Sequence, residues 1–216
     1  MGKLINLRYL SLIYCSGITN LPEAVCELSN LHSLNLLCCD SLEKLPAGIG
    51  KLINLRYLRT EGCHQLTYHP KGISNLTSLT RLSNIRMRAD CNDADQFSIG
   101  DLENLDLLGG NICVELIGNA INWDEAKRAE LHNKIHLKQM EIWICSPHIK
   151  EDEVLQALNP PSNLHVKLVD YESWLTMKER NDATADRLKK ARESVRAILS
   201  ARIEQRLAES RENTSD

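Results

Sequence analysis

The 216-residue sequence is poor in aromatic residues: Phe, Tyr and Trp together make up 4% of it, with a single Phe. A core built on interlocking rings is thereby excluded, and the 43% of hydrophobic residues must pack as aliphatic side chains, above all Leu. No apolar run behind basic residues opens the chain, and nowhere do 18 uninterrupted apolar residues occur, so neither a secretory leader nor a membrane-spanning helix is expected. Met1-Gly2 is not followed by the Ser or Thr that an N-myristoyl acceptor needs, because the sixth residue is Asn6. A positive excess is also missing, with a formal net charge of -3. Binders of nucleic acid or anionic membranes normally carry a broad positive field, so neither partner is expected.

Patterns that carry chemistry are equally scarce. Gly48-Ile49-Gly50-Lys51-Leu52 is the nearest approach to a phosphate loop, but Leu45 replaces the first Gly of that motif and Leu52 the hydroxyl that holds magnesium. Cys38-Cys39 and Cys63-His64 offer soft ligands one repeat apart, yet Cys39 and Cys63 are expected to face a core while Cys38 and His64 diverge. No spacing suggests a Ser/His/Asp or Cys/His nucleophile, and the acidic pairs Asp93 with Asp95 and Asp152 with Glu153 read as solvated polar positions. The expectation is a protein with no catalytic residues, no cofactor and no metal.

What the sequence has in abundance is a rhythm. Leu4, Leu7, Leu10, Leu12, Cys15, Ile18, Leu21, Pro22 and Val25 are followed by Leu28, Leu31, Leu34, Leu36, Cys39, Leu42, Leu45, Pro46 and Ile49, a shift of 24 residues. A third copy runs Leu52, Leu55, Leu58, Thr60, Cys63, Leu66, His69, Pro70 and Ile73, and a fourth opens with Leu76, Leu79 and Leu82. Gly2 to Leu10 is identical to Gly50 to Leu58. Leu10-Ser11-Leu12 and its copies alternate inward and outward as a strand does, so strands centred near residues 11, 35, 59 and 83 should pair as a parallel sheet. Leu21-Pro22 to Leu28 reads as a turn of helix or 3₁₀ structure with Pro at its start. One strand and one short return per repeat make an α/β solenoid, a leucine-rich-repeat horseshoe with its parallel sheet on the concave face. Cys15, Cys39 and Cys63 fall on one column and are expected as a buried ladder of free thiols, which points to a reducing compartment.

Four regions follow. Residues 1–88 hold the regular repeats, and 89–104 form a polar transition, with an exposed Asp-rich loop expected from Met87 to Phe97. Residues 105–174 hold looser repeats: strands around Ile112–Leu116, Leu137–Ile144 and Leu164–Val169, with short helices over Trp123–Leu131 and over Glu153–Leu158, the latter stopped by Pro160-Pro161. Residues 175–216 form an amphipathic tail, because Met177 to Glu212 lacks Gly and Pro and places Leu188, Ala191, Val195, Ile198, Leu199, Ile203 and Leu207 at helical intervals. A long C-terminal α-helix is expected there, open to self-association through residues 176–210.

Outward strand positions then form columns: Arg8, His32, Arg56; Tyr9, Ser33, Tyr57, Arg81; and Ser11, Asn35, Arg59, Ser83. Tyr and Arg are the side chains that most often anchor interfaces. The expected partner-binding face is therefore Arg8, Tyr9, Ser11, His32, Asn35, Arg56, Tyr57, Arg59, Arg81 and Ser83.

The Leu-x-x-Leu-x-x-Leu-x-Leu-x-x-Cys-x-x-Leu-x-x-Leu-Pro rhythm and Gly50-Lys51-Leu52-Ile53-Asn54-Leu55-Arg56-Tyr57-Leu58 resemble the leucine-rich-repeat region of plant intracellular disease-resistance proteins of the coiled-coil, nucleotide-binding class. Two further blocks share the resemblance: Asp124-Glu125-Ala126 with Ala129, Leu131, Lys134 and Leu137, and Glu153-Val154-Leu155-Gln156-Ala157-Leu158-Asn159-Pro160-Pro161-Ser162-Asn163-Leu164. It covers about residues 2 to 174 and excludes the helical tail. The resemblance implies a cytoplasmic or nuclear protein-binding module of plant defence. Its partners would be a pathogen effector or guarded host protein and the nucleotide-binding domain of a resistance protein, which such a region holds off until triggered. The chain begins within a repeat and carries no nucleotide-binding domain, so it is expected to be a truncated receptor. The alternative is a free-standing intracellular scaffold dimerised by its C-terminal helix.

Overall fold

The computed structural model describes residues 4–88, 95–117, 123–145 and 150–170, together with Glu172, Ser173, Thr176 and Arg180. Contacts divide the chain into Met1–Tyr171 and Glu172–Asp216. In the second unit, Thr176 Oγ1 donates to the Glu172 carbonyl at 3.0 Å, a one-turn contact. Apart from Arg180, the long helix expected over 177–212 lies outside the described residues, and the self-association expected of it shares that position.

In the first unit, β1 (Tyr9–Ser11), β2 (Ser33–Asn35), β3 (Tyr57–Arg59) and β4 (Arg81–Leu82) form a parallel sheet in chain order. Its ladder joins Leu10 to Leu34 to Leu58 to Leu82, so the 24-residue sequence period is also the lateral register. A second parallel sheet follows: β5 (Asn84–Arg88), β6 (Gly110–Ile117), β7 (Leu137–Cys145) and β8 (His165–Val169). There the paired positions are Ile85, Val114, Ile142 and Leu168, and the rungs lengthen accordingly.

Leu31, Leu34, Leu36, Leu42, Leu52, Leu55, Leu58, Leu76 and Leu79 are fully buried. Each removes roughly 2 kcal/mol of apolar surface from water, and all do so against a neighbouring rung. The returns are 3₁₀ turns over Glu23–Glu27, Ala47–Lys51, Lys71–Asn75 and Ile99–Asn104. Pro22, Pro46 and Pro70 precede the first three with φ of -67, -63 and -72°, the angle their rings impose. The fourth starts differently, on a capping box between Ser98 and Asp101. Helices α1 (Trp123–Arg128) and α2 (Glu151–Leu158) serve the later rungs, and Asn159 ends α2 in the left-handed region at φ 39°.

Polar side chains tie rung to rung. Cys39 Sγ donates to the Leu12 carbonyl at 2.9 Å, and Cys63 Sγ repeats the bond to Leu36 at 3.1 Å. Cys15, expected buried on the same column, is instead half-buried and turns to the carbonyl of Ile13 in its own rung at 3.9 Å. Burial raises the Cys39 and Cys63 thiols above their ordinary range, Cys63 to about 11, so they stay protonated donors at neutral pH. Asn30 Nδ2 and Asn54 Nδ2 each donate at 2.9 Å to the carbonyls of Ile5 and Ser29. Glu23 accepts from the backbone N–H of Ala47 at 2.9 Å and of Gly48 at 3.2 Å, closing the start of the next turn with a carboxylate. Gly50 is a packing glycine: a Cβ there would stand 2.6 Å from the Gly72 carbonyl oxygen, part of the next rung's backbone.

Two departures from the repeat meet inside the core. Thr60 and His69 stand where earlier copies carry Leu, and Thr60 Oγ1 lies 3.0 Å from His69 Nε2 with both residues buried. His69 Nδ1 accepts the backbone N–H of Arg86 at 2.9 Å, which leaves Nε2 to donate to Thr60. Thr60 in turn donates to the Asn84 carbonyl at 3.4 Å. This relay fastens β5 to the preceding rung. Directly beside it the strand changes phase: Leu82 and Ile85 are both buried, an odd separation that leaves Ser83 and Asn84 consecutive outside the core. One sheet ends and the other begins at that point.

The loop expected from Met87 to Phe97 is corrected at both ends. Met87 is buried within β5, and Phe97 is fully buried, its N–H bonded to the His69 carbonyl at 2.8 Å. Gln96 bonds back to Arg88 from both ends of its amide. The Asp-rich composition hid one apolar residue at each margin, and residues 89–94 lie outside the described residues.

Burial, reinforced by the Arg86 guanidinium, lowers the His69 pKa from 6.5 to about 3. The unfolded chain therefore binds the extra proton first, so this contribution to stability is complete above pH 6.5 and is lost as pH falls toward 3. His69→Leu should lower stability at neutral pH by about 1–3 kcal/mol, by stranding the Arg86 N–H, and flatten the acid slope. Urea unfolding across that window measures both effects. Gly50→Ala should cost about 1–3 kcal/mol. Gly17→Ala, with nothing within 4 Å of the added carbon, should change the urea midpoint little.

Candidate protein-binding face

The alternation of β1–β4 turns one set of side chains away from the leucine core. The register stacks Tyr9, Ser33, Tyr57 and Arg81 in one column and Ser11, Asn35 and Arg59 in another. Arg8, His32 and Arg56 form a third, linked through the backbone: the His32 N–H donates to the Arg8 carbonyl and the Arg56 N–H to that of His32, both at 2.8 Å. Tyr9 is 69% exposed and Tyr57 45%, ample for a partner to bury. Arg59 is engaged by Glu61 at 3.3 Å, and Asn35 Oδ1 accepts the Leu37 N–H at 3.1 Å. Ser83 stands apart from its column, since its hydroxyl is buried at the phase change without a hydrogen-bond partner.

Charge distinguishes the two sheets. On the second, Arg86 pairs with Glu115 at 2.8 Å and Lys167 with Glu141 at 2.5 Å. Asn84 Nδ2 adds a bond to Glu115 at 3.0 Å. The Arg86 guanidinium also donates to the carbonyls of Cys63, His64 and Leu66, the last at 2.6 Å, so this arginine braces the turn of the third repeat. On the first sheet, Arg8, Arg56 and Arg81 have no ion pair among the described residues and stand exposed. Unpaired guanidiniums beside tyrosines are adhesive. Paired and half-buried ones are structural.

Next to the β4 end of this face lies a hollow of about 700 Å³, lined in part by Tyr57, Arg81, Leu107, His136 and Lys138. Only its Tyr57 and Arg81 belong to the columns read from the sequence. Thr80 continues the column of Arg8, His32 and Arg56, while the remaining lining residues fall in the longer repeats, where a 24-residue template no longer aligns them; the Gly109-Gly110 dipeptide was the signal available. Cys39 and Cys63, weighed as soft ligands, are committed to carbonyls of the preceding rung. Among the described residues, no three His, Cys, Asp or Glu side chains gather into a metal-ligating group.

The contrast between paired and unpaired arginines is measurable. Arg86→Met leaves the half-buried Glu115 to the Asn84 amide and removes the brace on the turn of the third repeat, and should cost about 1–3 kcal/mol of stability. Arg8→Gln should stay within about 0.5 kcal/mol of the parent, as exposed substitutions do. Thermal or urea unfolding of both variants makes the comparison.

Buried leucine columns in parallel register, 3₁₀ returns behind proline and inter-rung thiol bonds describe one architecture over the first sheet, and parallel stacking of strand and return continues through the second. No curated protein matches this sequence. The leucine-rich repeat region family matches residues 1–179, and repeats of this kind are protein-interaction modules without catalytic chemistry of their own. The chain therefore belongs to the leucine-rich repeat region family and is a protein-binding repeat module.

Proposed function

We propose that the outward face of β1–β4 recognises a protein in plant defence, a pathogen effector or a guarded host protein, and also contacts the nucleotide-binding domain of a resistance protein. The observation that carries the reading is the set of unpaired, exposed Arg8, Arg56 and Arg81 alongside Tyr9 and Tyr57, spread over the first, third and fourth rungs of one sheet. Such a surface offers area to bury and charges to steer an approaching partner. The plant-defence assignment is supported by the resemblance of Gly50 to Leu58 and of the blocks at Asp124 and Glu153 to disease-resistance receptors. A reducing compartment, cytoplasm or nucleus, suits this role, because the described cysteines are free thiols.

The test mixes the purified chain with the nucleotide-binding domain of a full-length relative, and separately with host-cell extract. Saturable binding is expected in at least one of them, weakened roughly tenfold or more when Tyr9, Arg56 and Tyr57 are changed together to Ala. Binding to neither would remove the support for this reading.

A further inference from the structure

We propose that the hollow between β4 and the start of β6 receives an acidic segment of a partner protein, a side-chain carboxylate flanked by an apolar residue. The inference refines the protein-binding reading above and rests on it. It begins with a bulge. The Gly109 N–H bonds to the Thr80 carbonyl and the Cys113 N–H to that of Ser83, so four residue steps on one side face three on the other. Gly110 absorbs the mismatch at φ 74°, and the ladder to β7 also shifts register between Gly110 and Asn111.

Two consequences follow from that glycine. The strands part, leaving the hollow of about 700 Å³. Its missing side chain is also the space the Arg81 guanidinium fills: a Cβ on Gly110 would stand 2.9 Å from Arg81 Cζ and would fall onto Nη1. The Arg81 guanidinium thus lies against the Gly110 backbone at the hollow, with no ion pair among the described residues.

The lining pairs two chemistries. Arg81, Lys138 and His136 supply the polar side, and no carboxylate is among the lining residues. The nearby Asp106 is committed elsewhere, to the buried Lys134 ammonium at 2.6 Å. Tyr57 and Leu107, 45% and 49% exposed, supply the apolar side. A carboxylate between Arg81 and Lys138 would gain charge-assisted hydrogen bonds, and the neighbouring apolar side chain would cover Tyr57 and Leu107. A nucleic acid needs a track of cations along its backbone, which one hollow on a chain of net charge -3 does not provide.

Three labelled probes test the idea by fluorescence anisotropy with the full chain: a Leu–Glu repeat peptide, its Leu–Gln counterpart and a short poly-deoxythymidine. The Leu–Glu peptide should bind at least roughly tenfold more tightly than the others, less so as salt rises. Arg81→Gln and Lys138→Gln should each weaken it roughly tenfold, while Lys127→Gln on α1 should leave it unchanged. Gly110→Ala should weaken it too, with every charge retained, and unchanged circular dichroism of Arg81→Gln separates lost binding from lost folding. Equal affinity for both peptides, no binding, tighter binding of the oligonucleotide, or indifference to Arg81 and Lys138 would each overturn the proposal. Peptide binding that depends on Tyr9 and Arg56 but not on Arg81 would sink the hollow alone. Peptide binding through Arg81, with no protein captured from host extract or by the nucleotide-binding domain, would sink the plant-defence reading alone.

Discussion

A single rung of this solenoid cannot bury its own leucines, and the rest of the structure depends on that. Leu34, Leu58 and Leu82 lie in register because each is shielded only by the rung beside it. Stacking fixes the strand direction as parallel, fixes the return length, and leaves the outward strand positions open to another molecule. The polar contacts between rungs follow the same logic. Cys39, Cys63, Asn30 and Asn54 each reach a carbonyl about one repeat away, satisfying backbone groups that parallel strands this short leave open.

Departures from the repeat are where the structure acquires its individuality. Thr60 and His69 would be two defects if they were apart, because each puts a polar group where Leu is expected. Together they are complementary, and their relay reaches the Arg86 N–H and the Asn84 carbonyl of the incoming strand. The same strand then changes phase at Ser83 and Asn84, and the next one bulges at Gly110. A buried relay, a phase change and a bulge thus occur side by side, and the hollow with Arg81 lies among them.

The two sheets divide the labour accordingly. Pairing Arg86 with Glu115, and Lys167 with Glu141, spends much of the charge of the second sheet on its own cohesion, Lys138 at the hollow excepted. Arg8, Arg56 and Arg81, without ion pairs among the described residues, leave the outward face of the first sheet with exposed positive charge.

Much was legible in the sequence alone. The 24-residue period determined the parallel sheet, its register, the returns behind Pro22, Pro46 and Pro70, and the buried thiols of Cys39 and Cys63, since each is a nearest-neighbour relation that repetition makes explicit. The columns holding Tyr9, Tyr57 and the unpaired arginines came with it. The aperiodic contacts were decided only by the tertiary structure. Nothing in the spacing pairs Thr60 with His69, turns Met87 and Phe97 inward from a polar stretch, or seats Arg81 against Gly110. Those outcomes depend on how rungs of unequal length meet side by side, and once the period breaks, lateral register is set by packing and hydrogen bonding rather than by residue count.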